Sequence, residues 1–319
     1  MAEAPAGSIV RYDARRDTGS GQKTANSGWV NQLDSTTESI DQLQQNGLAG
    51  PFELADKSIL DDVCEVALAL ELLQGRQNAA ARQAGRRDWQ RWTTIINRHM
   101  AFQPMQDLFR DANLQSVVAE HFGKDLVLWQ TKFFIKFEGV GENYWHHDRI
   151  IENGGDPINL YDTTNHFSFV IALTDLGEEH GRLEYIRGSH RPIDGLDRDM
   201  PRIFDEMPEV VIDRITPLTF QRGEFAIFHS AVLHRSLAYG HREEDWIPNY
   251  FGAPNPALRS KADVRSGRIS LAARLARKDT VIPEKSGANP AGPPDAIVEP
   301  MPYDDTLPGR FDSAVMPFN

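Results

Sequence analysis

The segment NYWHHDRI, residues 143–150, places two histidines and an aspartate next to one another, and both residue types are common metal ligands. In an extended segment neighbouring side chains point to opposite faces, so residues two apart share a face. His146 and Asp148 therefore form the natural pair, and His147 points away from them. A lone His-x-Asp is more often a polar turn after a strand than a metal site, so the interpretation needs further ligands.

A second histidine signal lies in GEFAIFHSAVLHRS, where His229 and His234 are five residues apart and so face opposite ways on a continuous strand. His229 lies inside an apolar run, which favours a hydrogen-bonded core histidine. His234 lies at the end of a strand, where the mouth of a barrel would place a ligand. Two imidazoles and one carboxylate on one face form the triad of non-haem Fe(II) oxygenases, although the same donors also suit zinc or manganese. A zinc hydrolase therefore stays open at this point.

A third feature favours iron. The segment SGRISLAARLARK places Arg268 and Ser270 two residues apart on a predicted strand, with Arg274 further on. A guanidinium and a hydroxyl on one strand face suit the capture of a carboxylate. A co-substrate with one carboxylate for this pair and a 2-oxo acid end for the metal is 2-oxoglutarate. Taken alone, Arg268 suits a surface salt bridge equally well.

Composition narrows the range of partners. The 319 residues, 40% hydrophobic and 25% charged, are ordinary for a globular protein of one large or two modest domains. The net charge of −12 and the pI near 5.3 disfavour nucleic acid or an anionic membrane surface as the partner. Without a signal peptide pattern or a membrane-spanning apolar stretch, we expect a cytoplasmic protein with a small-molecule substrate, as a monomer or a homodimer.

The pattern along the chain predicts a helical layer followed by a β core. Residues 1–35 have the composition of a flexible arm, and residues 36–123 carry helical patterns that we expect to end at Gly47, Gly75 and Gly123. The last of these patterns spans 104–123. From 126 to 280, short β-branched and aromatic segments without intervening helices predict an antiparallel jelly roll. The proline-rich residues 281–319 form a tail or a strap.

Five segments of the chain resemble, in the right order, the phytanoyl-CoA dioxygenase family of Fe(II)/2-oxoglutarate oxygenases. They are QLQQNGLAGPFELAD, FIKFEGVGENYWHHD, GRLEYIRGSH, GEFAIFHSAVLHRS and RISLAARL, and the resemblance runs from about residue 40 to 280. It implies one oxygenase domain over 36–280 with an α+β, mainly β fold, a double-stranded β-helix (a cupin-like jelly roll) behind an N-terminal helical layer. It also implies Fe(II), 2-oxoglutarate and O2 as cofactors, iron ligands at His146, Asp148 and His234, and a 2-oxoglutarate site at Arg268 with Ser270.

The chain departs from the family pattern after the distal histidine. The family's arginine usually follows that histidine closely, where this chain has Arg242, and an insertion at about 238–266 precedes Arg268. We prefer Arg268 because its surroundings have a strand pattern, whereas GHREED has the composition of a loop. The insertion is a candidate lid over the substrate, to which Trp246 contributes.

Further candidate residues flank the metal turn. Gln130 and Lys132 alternate on the preceding strand and are candidate contacts of 2-oxoglutarate, with an ordinary solvated face as the alternative. The candidate substrate contacts are Tyr144, His147, Arg149, Asn165 and Trp246.

The resemblance implies hydroxylation of an unactivated C–H bond in a small organic molecule, with release of succinate and CO2. Desaturation, cyclisation and epimerisation need the same triad and stay open, whereas Asp148 disfavours halogenation, which needs that coordination position for a halide. The alternative from another class is a non-catalytic jelly-roll protein that binds a ligand.

Overall fold

A layer of helices precedes the sheets in the computed structural model, which describes residues 9–10, 36–83, 98–138, 140–148, 166–196, 207–240, 267–277 and 316–318. The helices are α1 (Thr36–Asn46), α2 (Leu60–Gln83), α3 (Gln103–Phe109) and α4 (Ala112–Phe122), with a 3₁₀ turn at Arg98–Met100.

The predicted helix ends are right at two glycines and wrong at the third. Gly47 follows α1 at φ 82° and Gly123 follows α4 at φ 85°, both in the left-handed region that glycine tolerates best. Helix α2, however, passes through Gly75 and ends at Gln83. A glycine inside a helix costs only about 1 kcal/mol relative to alanine, and the alanine-rich residues 79–81 that follow offset that cost.

The single helical pattern over 104–123 is in fact two helices, and Asp111 separates them. Its carboxylate accepts hydrogen bonds from the backbone N–H groups of Asn113 (3.0 Å) and Leu114 (3.0 Å), which caps α4. It also accepts from Ala55 (3.1 Å) and Asp56 (2.8 Å), so the same carboxylate ties α4 to the segment before α2. The cap fixes where α4 begins, and α3 ends one turn earlier.

Within the described residues, twelve strands form three sheets. They are β1 (Ile9–Val10), β2 (Leu48–Glu53), β3 (Leu126–Lys136), β4 (Asn143–His146), β5 (His166–Ala172), β6 (Leu183–Ile186), β7 (Met207–Pro208), β8 (Ile215–Leu218), β9 (Glu224–His229), β10 (His234–Ser236), β11 (Arg268–Arg277) and β12 (Met316–Phe318). A short helix, α5 (Glu209–Ile212), precedes β8. The major sheet has the order β12-β3-β11-β5-β9-β2, the minor sheet β4-β10-β6-β8, and β1 pairs with β7. All of these pairings are antiparallel.

This strand order confirms the predicted double-stranded β-helix. Strands β3 to β6 and β8 to β11 alternate between the two sheets along the chain, which winds one double ribbon into a jelly roll. The outer face of the major sheet packs on the helices through a cluster that includes Phe133, Phe169, Ile227 and Leu271. The inner face of that sheet and the facing minor sheet enclose a second cluster around Tyr185 and Phe228.

The strands β1, β2, β4, β7 and β12 were not predicted. Strand β2 extends the major sheet beside β9, and β12 adds an edge strand whose partners are Leu126–Leu128. The residues EVVI form the short helix α5, and only the segment from Ile215 pairs with β6. The rest of the N-terminal arm, the insertion from 241 to 266 and the tail from 281 to 315 lie outside the described residues.

In the part of the chain that the structure describes, none of the helices combines the length and apolar character that a membrane crossing requires.

Candidate metal centre

His146, Asp148 and His234 converge at one end of the jelly roll, as the spacing of their motifs predicts. One potential ligand atom from each residue lies within 4.8 Å of the other two, and the ring centroids of His146 and His234 are 4.4 Å apart. His146 ends β4 and His234 begins β10, and these two residues are direct antiparallel partners. The pairing of two minor-sheet strands therefore holds the imidazoles side by side, and Asp148 follows two residues after His146.

The tautomer of His234 leaves a ring nitrogen available to a metal. Its Nδ1 donates a hydrogen bond to the carbonyl of Val232 at 2.9 Å, so Nε2 carries the lone pair. That Nε2 atom lies 3.9 Å from Oδ1 of Asp148. A backbone partner on the far nitrogen is the usual way in which proteins orient a metal-binding imidazole.

Both carboxylate oxygens of Asp148 are held by neighbouring strands of the major sheet. Ser168 Oγ donates to Oδ2 at 2.9 Å, and Arg274 Nη2 donates to Oδ1 at 2.8 Å. Ser230 Oγ lies 2.9 Å from Ser168 Oγ and can donate to it, and the Ser230 carbonyl accepts the Asp148 N–H at 3.0 Å. Gln130 accepts a further hydrogen bond from Nη1 of Arg274.

These contacts keep Asp148 ionised. Burial raises the pKa of its carboxyl, but the positive charge of Arg274 and the hydrogen bond that it donates outweigh that effect, and the pKa lies well below its ordinary value. The carboxylate is therefore ionised throughout the neutral range and could serve as an anionic ligand. A buried guanidinium that holds a ligand carboxylate is an outer partner of the kind that tunes metal sites.

Strand β10 is fixed from behind by a buried ion pair. Arg235, on the outer face next to His234, donates through Nε (2.9 Å) and Nη2 (2.7 Å) to Oε2 of Glu184 on β6. Its guanidinium also lies 4.8 Å from the ring centroid of Trp145 on β4, and Nη1 lies 3.4 Å from Glu142. One side chain thus links the three strands that carry or flank the two histidines.

Arg268 and Ser270 lie on the inner face of β11, and both are only 2% exposed. Arg268 is paired in register with Lys136 of β3. The Nε and Nη2 atoms of Arg268 are buried and have no hydrogen-bond partner among the described residues. A buried guanidinium with two open donors suits a planar carboxylate, and although burial lowers the pKa of Arg268 to about 10, the group stays charged.

The other predicted residues are placed as follows. Gln130 and Lys132 share the inner face of β3 with Lys136, and both are partly exposed. His147 is fully buried and does not join the group of potential ligand atoms. Tyr144 lies on β4, but its side chain is not described, and Arg149, Asn165, Trp246 and the rival Arg242 lie outside the described residues. The roles assigned to these residues stay predictions.

The sequence did not single out Ser168, Ser236 or Glu184, and it gave Arg274 no role at the metal. Ser168 is a polar residue at an inward-facing position of the apolar strand HFSFVIA. A polar side chain at such a position is a signal of a functional role that can be read from the sequence. Ser236 lies two residues after His234, so it shares the inner face, and its hydroxyl is buried without a partner in the described part of the chain. Glu184 carries no local signal, because its partner is 51 residues away.

The arrangement fits a divalent metal and an oxo acid. It offers two imidazoles, an ionised carboxylate with fixed geometry, and a buried guanidinium with unsatisfied donors. A double-stranded β-helix with this triad at its mouth defines a non-haem Fe(II)/2-oxoglutarate-dependent oxygenase. The sequence profile of the phytanoyl-CoA dioxygenase (PhyH) family matches residues 43–239, and the chain belongs to that family. It is therefore an enzyme that uses Fe(II) and 2-oxoglutarate, and its family acts on small molecules.

Two solved structures show the same fold. The non-heme alpha ketoglutarate dependent carbocyclase SnoK from nogalamycin biosynthesis superposes with a TM-score of 0.53 at 14% identity, covering 78% of this chain and 86% of its own. The epimerase SnoN, in complex with Fe3+, alpha ketoglutarate and nogalamycin RO, has a TM-score of 0.50 at 14% identity and covers 80% and 92%. These likenesses concern the fold. A search of curated protein sequences found no match.

Proposed function

We propose that the protein hydroxylates an unactivated C–H bond of a small organic molecule. In this reaction one atom of O2 enters the substrate as a hydroxyl group. The other enters the carboxylate of succinate as 2-oxoglutarate loses CO2. The substrate carbon is oxidised, 2-oxoglutarate is oxidatively decarboxylated and O2 is reduced, so no further reductant is needed.

The observation that carries this proposal is the complete triad with Asp148 as its third member. Ser168 and Arg274 hold its two oxygens, so the carboxylate is oriented before a metal arrives. Halogenation by this fold needs that coordination position for a halide, and here the carboxylate would fill it. The triad would leave three adjacent positions, enough for a chelating 2-oxo acid and O2.

Arg268 is the group that would orient 2-oxoglutarate. Its two open donors can form a paired contact with the distal carboxylate, and the buried hydroxyl of Ser236 lies on the facing sheet. Lys136 donates to the carbonyls of Gly141 (3.1 Å), Ser236 (3.2 Å) and Leu237 (2.6 Å), which holds the end of β10 against β3 beside Arg268. The co-substrate would extend from the metal end of the jelly roll towards this sealed end.

When bound, Fe(II) supplies the activation of O2 that is coupled to decarboxylation of 2-oxoglutarate. The residues of the chain would position the metal ligands and the co-substrate. Val232 and the strand pairing orient His234, Ser168 and Arg274 orient Asp148, and the sealed end of the jelly roll keeps water from the co-substrate's distal carboxylate.

The test begins without O2. Protein mixed with Fe(II) and 2-oxoglutarate should show the weak visible charge-transfer band of a 2-oxo acid chelated to iron. His146→Ala should abolish the band, whereas His180→Ala, which removes a histidine from a 3₁₀ turn outside the site, should retain it. A band that persists in His146→Ala, or that never forms in the wild type, would rule out the proposed centre.

The second step tests the outcome of the reaction. Succinate release against a panel of organic compounds identifies a substrate, and mass spectrometry of the product reports the chemistry. Gain of one oxygen atom supports hydroxylation. Loss of two hydrogens, or an unchanged mass with altered stereochemistry, would replace it with desaturation, cyclisation or epimerisation at the same centre.

A further inference from the structure

Asp148 differs from the two histidines of the triad in the sheet that orients it. His146 and His234 lie on β4 and β10, which are paired strands of the minor sheet. The side chain of Asp148 is bound by Ser168 on β5 and by Arg274 on β11, which are paired strands of the major sheet. The carboxylate is therefore oriented by side chains of the sheet that does not carry the imidazoles.

The strand register places Arg274 on this carboxylate. Arg274 is paired with Gln130 of β3 on one side and with Ser168 of β5 on the other, so the three side chains form one row on the inner face. Its Nη2 donates to Oδ1 of Asp148 at 2.8 Å, and its Nη1 donates to the side chain of Gln130. Because the guanidinium is planar and rigid, these two contacts fix the direction from which it meets Asp148.

Both oxygens of the Asp148 carboxylate accept a hydrogen bond from a side chain. Oδ1 accepts from Arg274, and Oδ2 accepts from the hydroxyl of Ser168 at 2.9 Å. Oδ1 is also the oxygen that lies 3.9 Å from Nε2 of His234. A metal held by His234 and Asp148 would therefore share Oδ1 with a fixed positive charge, which weakens the donation from that oxygen.

This sharing has unequal effects on different cations. Mg²⁺ and Mn²⁺ prefer oxygen ligands and are attracted by carboxylate charge, whereas Fe²⁺ and Ni²⁺ also bind imidazole well. In the described part of the chain, Asp148 is the carboxylate in the group of potential ligand atoms, and Arg274 offsets its charge. The contact with Arg274 therefore lowers the affinity for an oxygen-binding cation more than the affinity for an imidazole-binding one.

We propose that Arg274 determines the metal selectivity of the centre. By binding Oδ1 and offsetting the charge of Asp148, it favours a transition metal bound by imidazole over an oxygen-binding cation such as Mg²⁺ or Mn²⁺. Arg274 is a positioning residue that acts through Asp148. This inference goes beyond the proposed reaction and rests on the proposed function in one respect, namely that the triad binds a metal.

The test titrates the metal-free protein with Ni(II) and with Mn(II) by calorimetry, and the measured quantity is the ratio of the two dissociation constants. In Arg274→Met the carboxylate loses the guanidinium that offsets its charge. The preference for Ni(II) over Mn(II) should therefore fall about tenfold, the lower end of the range for a hydrogen bond to a charged group. A loss of orientation alone would weaken both metals alike and leave the ratio unchanged.

Two further variants separate charge from general damage. Arg274→Lys keeps a positive charge beside Asp148 and should retain most of the wild-type ratio. Arg277→Met removes an arginine from the same strand, but on the outer face, where its guanidinium lies 5.8 Å from the ring centroid of Phe167. This matched control should leave the affinities for both metals unchanged.

A third variant decides the question if circular dichroism shows that Arg274→Met does not fold. Ser168→Ala removes the hydrogen bond to Oδ2 without removing a charge. The ratio should then fall by about threefold, as expected for a hydrogen bond from a neutral donor.

Three results would overturn the inference. One is an unchanged ratio in Arg274→Met or, where that variant does not fold, in Ser168→Ala. The others are a ratio in Arg274→Lys as low as in Arg274→Met, and an equal fall in Arg277→Met. Wild-type protein that binds neither metal would instead refute the metal centre on which the proposed function depends.

Discussion

The buried ion pair behind β10 gives a prediction about stability. In Glu184→Met the Arg235 guanidinium loses the carboxylate that it contacts through two nitrogens, in a place where Glu184 is 1% exposed. Arg182 loses a contact of 3.2 Å with the other oxygen of the same carboxylate. Methionine matches the length of glutamate, so the change removes the charge without leaving a large cavity.

The expected loss of stability depends on the partners that Arg235 retains. Removing one partner of a buried ion pair costs about 3–5 kcal/mol, because an uncompensated charge stays buried. Glu142, at 3.4 Å and 34% exposed, remains as a weaker partner, so we expect the lower end, about 3 kcal/mol. For a domain of this size, 1 kcal/mol corresponds to about 2 °C, which gives a fall in Tm of about 6 °C.

The assay is thermal unfolding of the metal-free protein, with Glu178→Met as the matched control. Glu178 also pairs with Arg182, at 2.9 Å, but its side chain is 79% exposed, so its loss should cost about 0–1 kcal/mol. The double variant Glu184→Met with Arg235→Met should recover most of the lost stability, because no charge is left buried.

Equal effects of Glu184→Met and Glu178→Met would refute this reasoning, since burial would then have no influence on the cost. A double variant that is less stable than Glu184→Met alone would also contradict it, because the loss would then arise from packing or from the contact with Trp145.

Three further predictions concern the metal, pH and a tight turn. Ser168→Ala removes the hydroxyl that donates to Asp148 and should weaken Fe(II) affinity at least about tenfold in an anaerobic titration. His99 is buried with its pKa lowered to about 4, so the unfolded chain binds more protons than the folded one between pH 6.5 and 4 and stability falls as the pH falls. Between pH 7 and pH 4.5, the free energy of unfolding of His99→Phe should therefore fall by about 2–3 kcal/mol less than that of the wild type, as measured by urea unfolding. Gly47→Ala should lower the Tm more than Gly195→Ala, because both positions have positive φ but only a Cβ at Gly47 would collide with the His190 ring.

A specific result would contradict each of these three predictions. Ser116→Ala, on the exposed face of α4, controls for the serine change, and equal metal affinities in the two variants would remove Ser168 from the centre. Parallel pH profiles for wild type and His99→Phe would mean that His99 does not titrate between the two states. Equal losses for the two glycines would show that backbone strain, which they share, outweighs contact with the His190 ring.

Prediction from the sequence was most accurate for elements whose local residue pattern matches their surroundings in the folded protein. The alternation of β3 and β11 survives in the structure because it depends on a few neighbouring residues. The continuous strand expected through His229 and His234 is wrong, because β9 ends at His229 and β10, in the other sheet, begins at His234. The prediction failed at Gly75, where the residues after the glycine favour a helix, and at Asp111, where a cap divides one helical pattern into two. Strand β12 could not be predicted, because its partner strand lies near residue 127.

At the metal centre, the sequence by itself determined the ligand types and which neighbours share a face, because alternation along a strand is a local property. His146 and Asp148 were paired, and His147 was separated from them, on that ground alone. Only the tertiary structure decided that Arg274 binds Asp148 from 126 residues away and that Arg268 lies sealed with two open donors. Those facts depend on which strands lie side by side, and strand order results from the packing of the whole jelly roll.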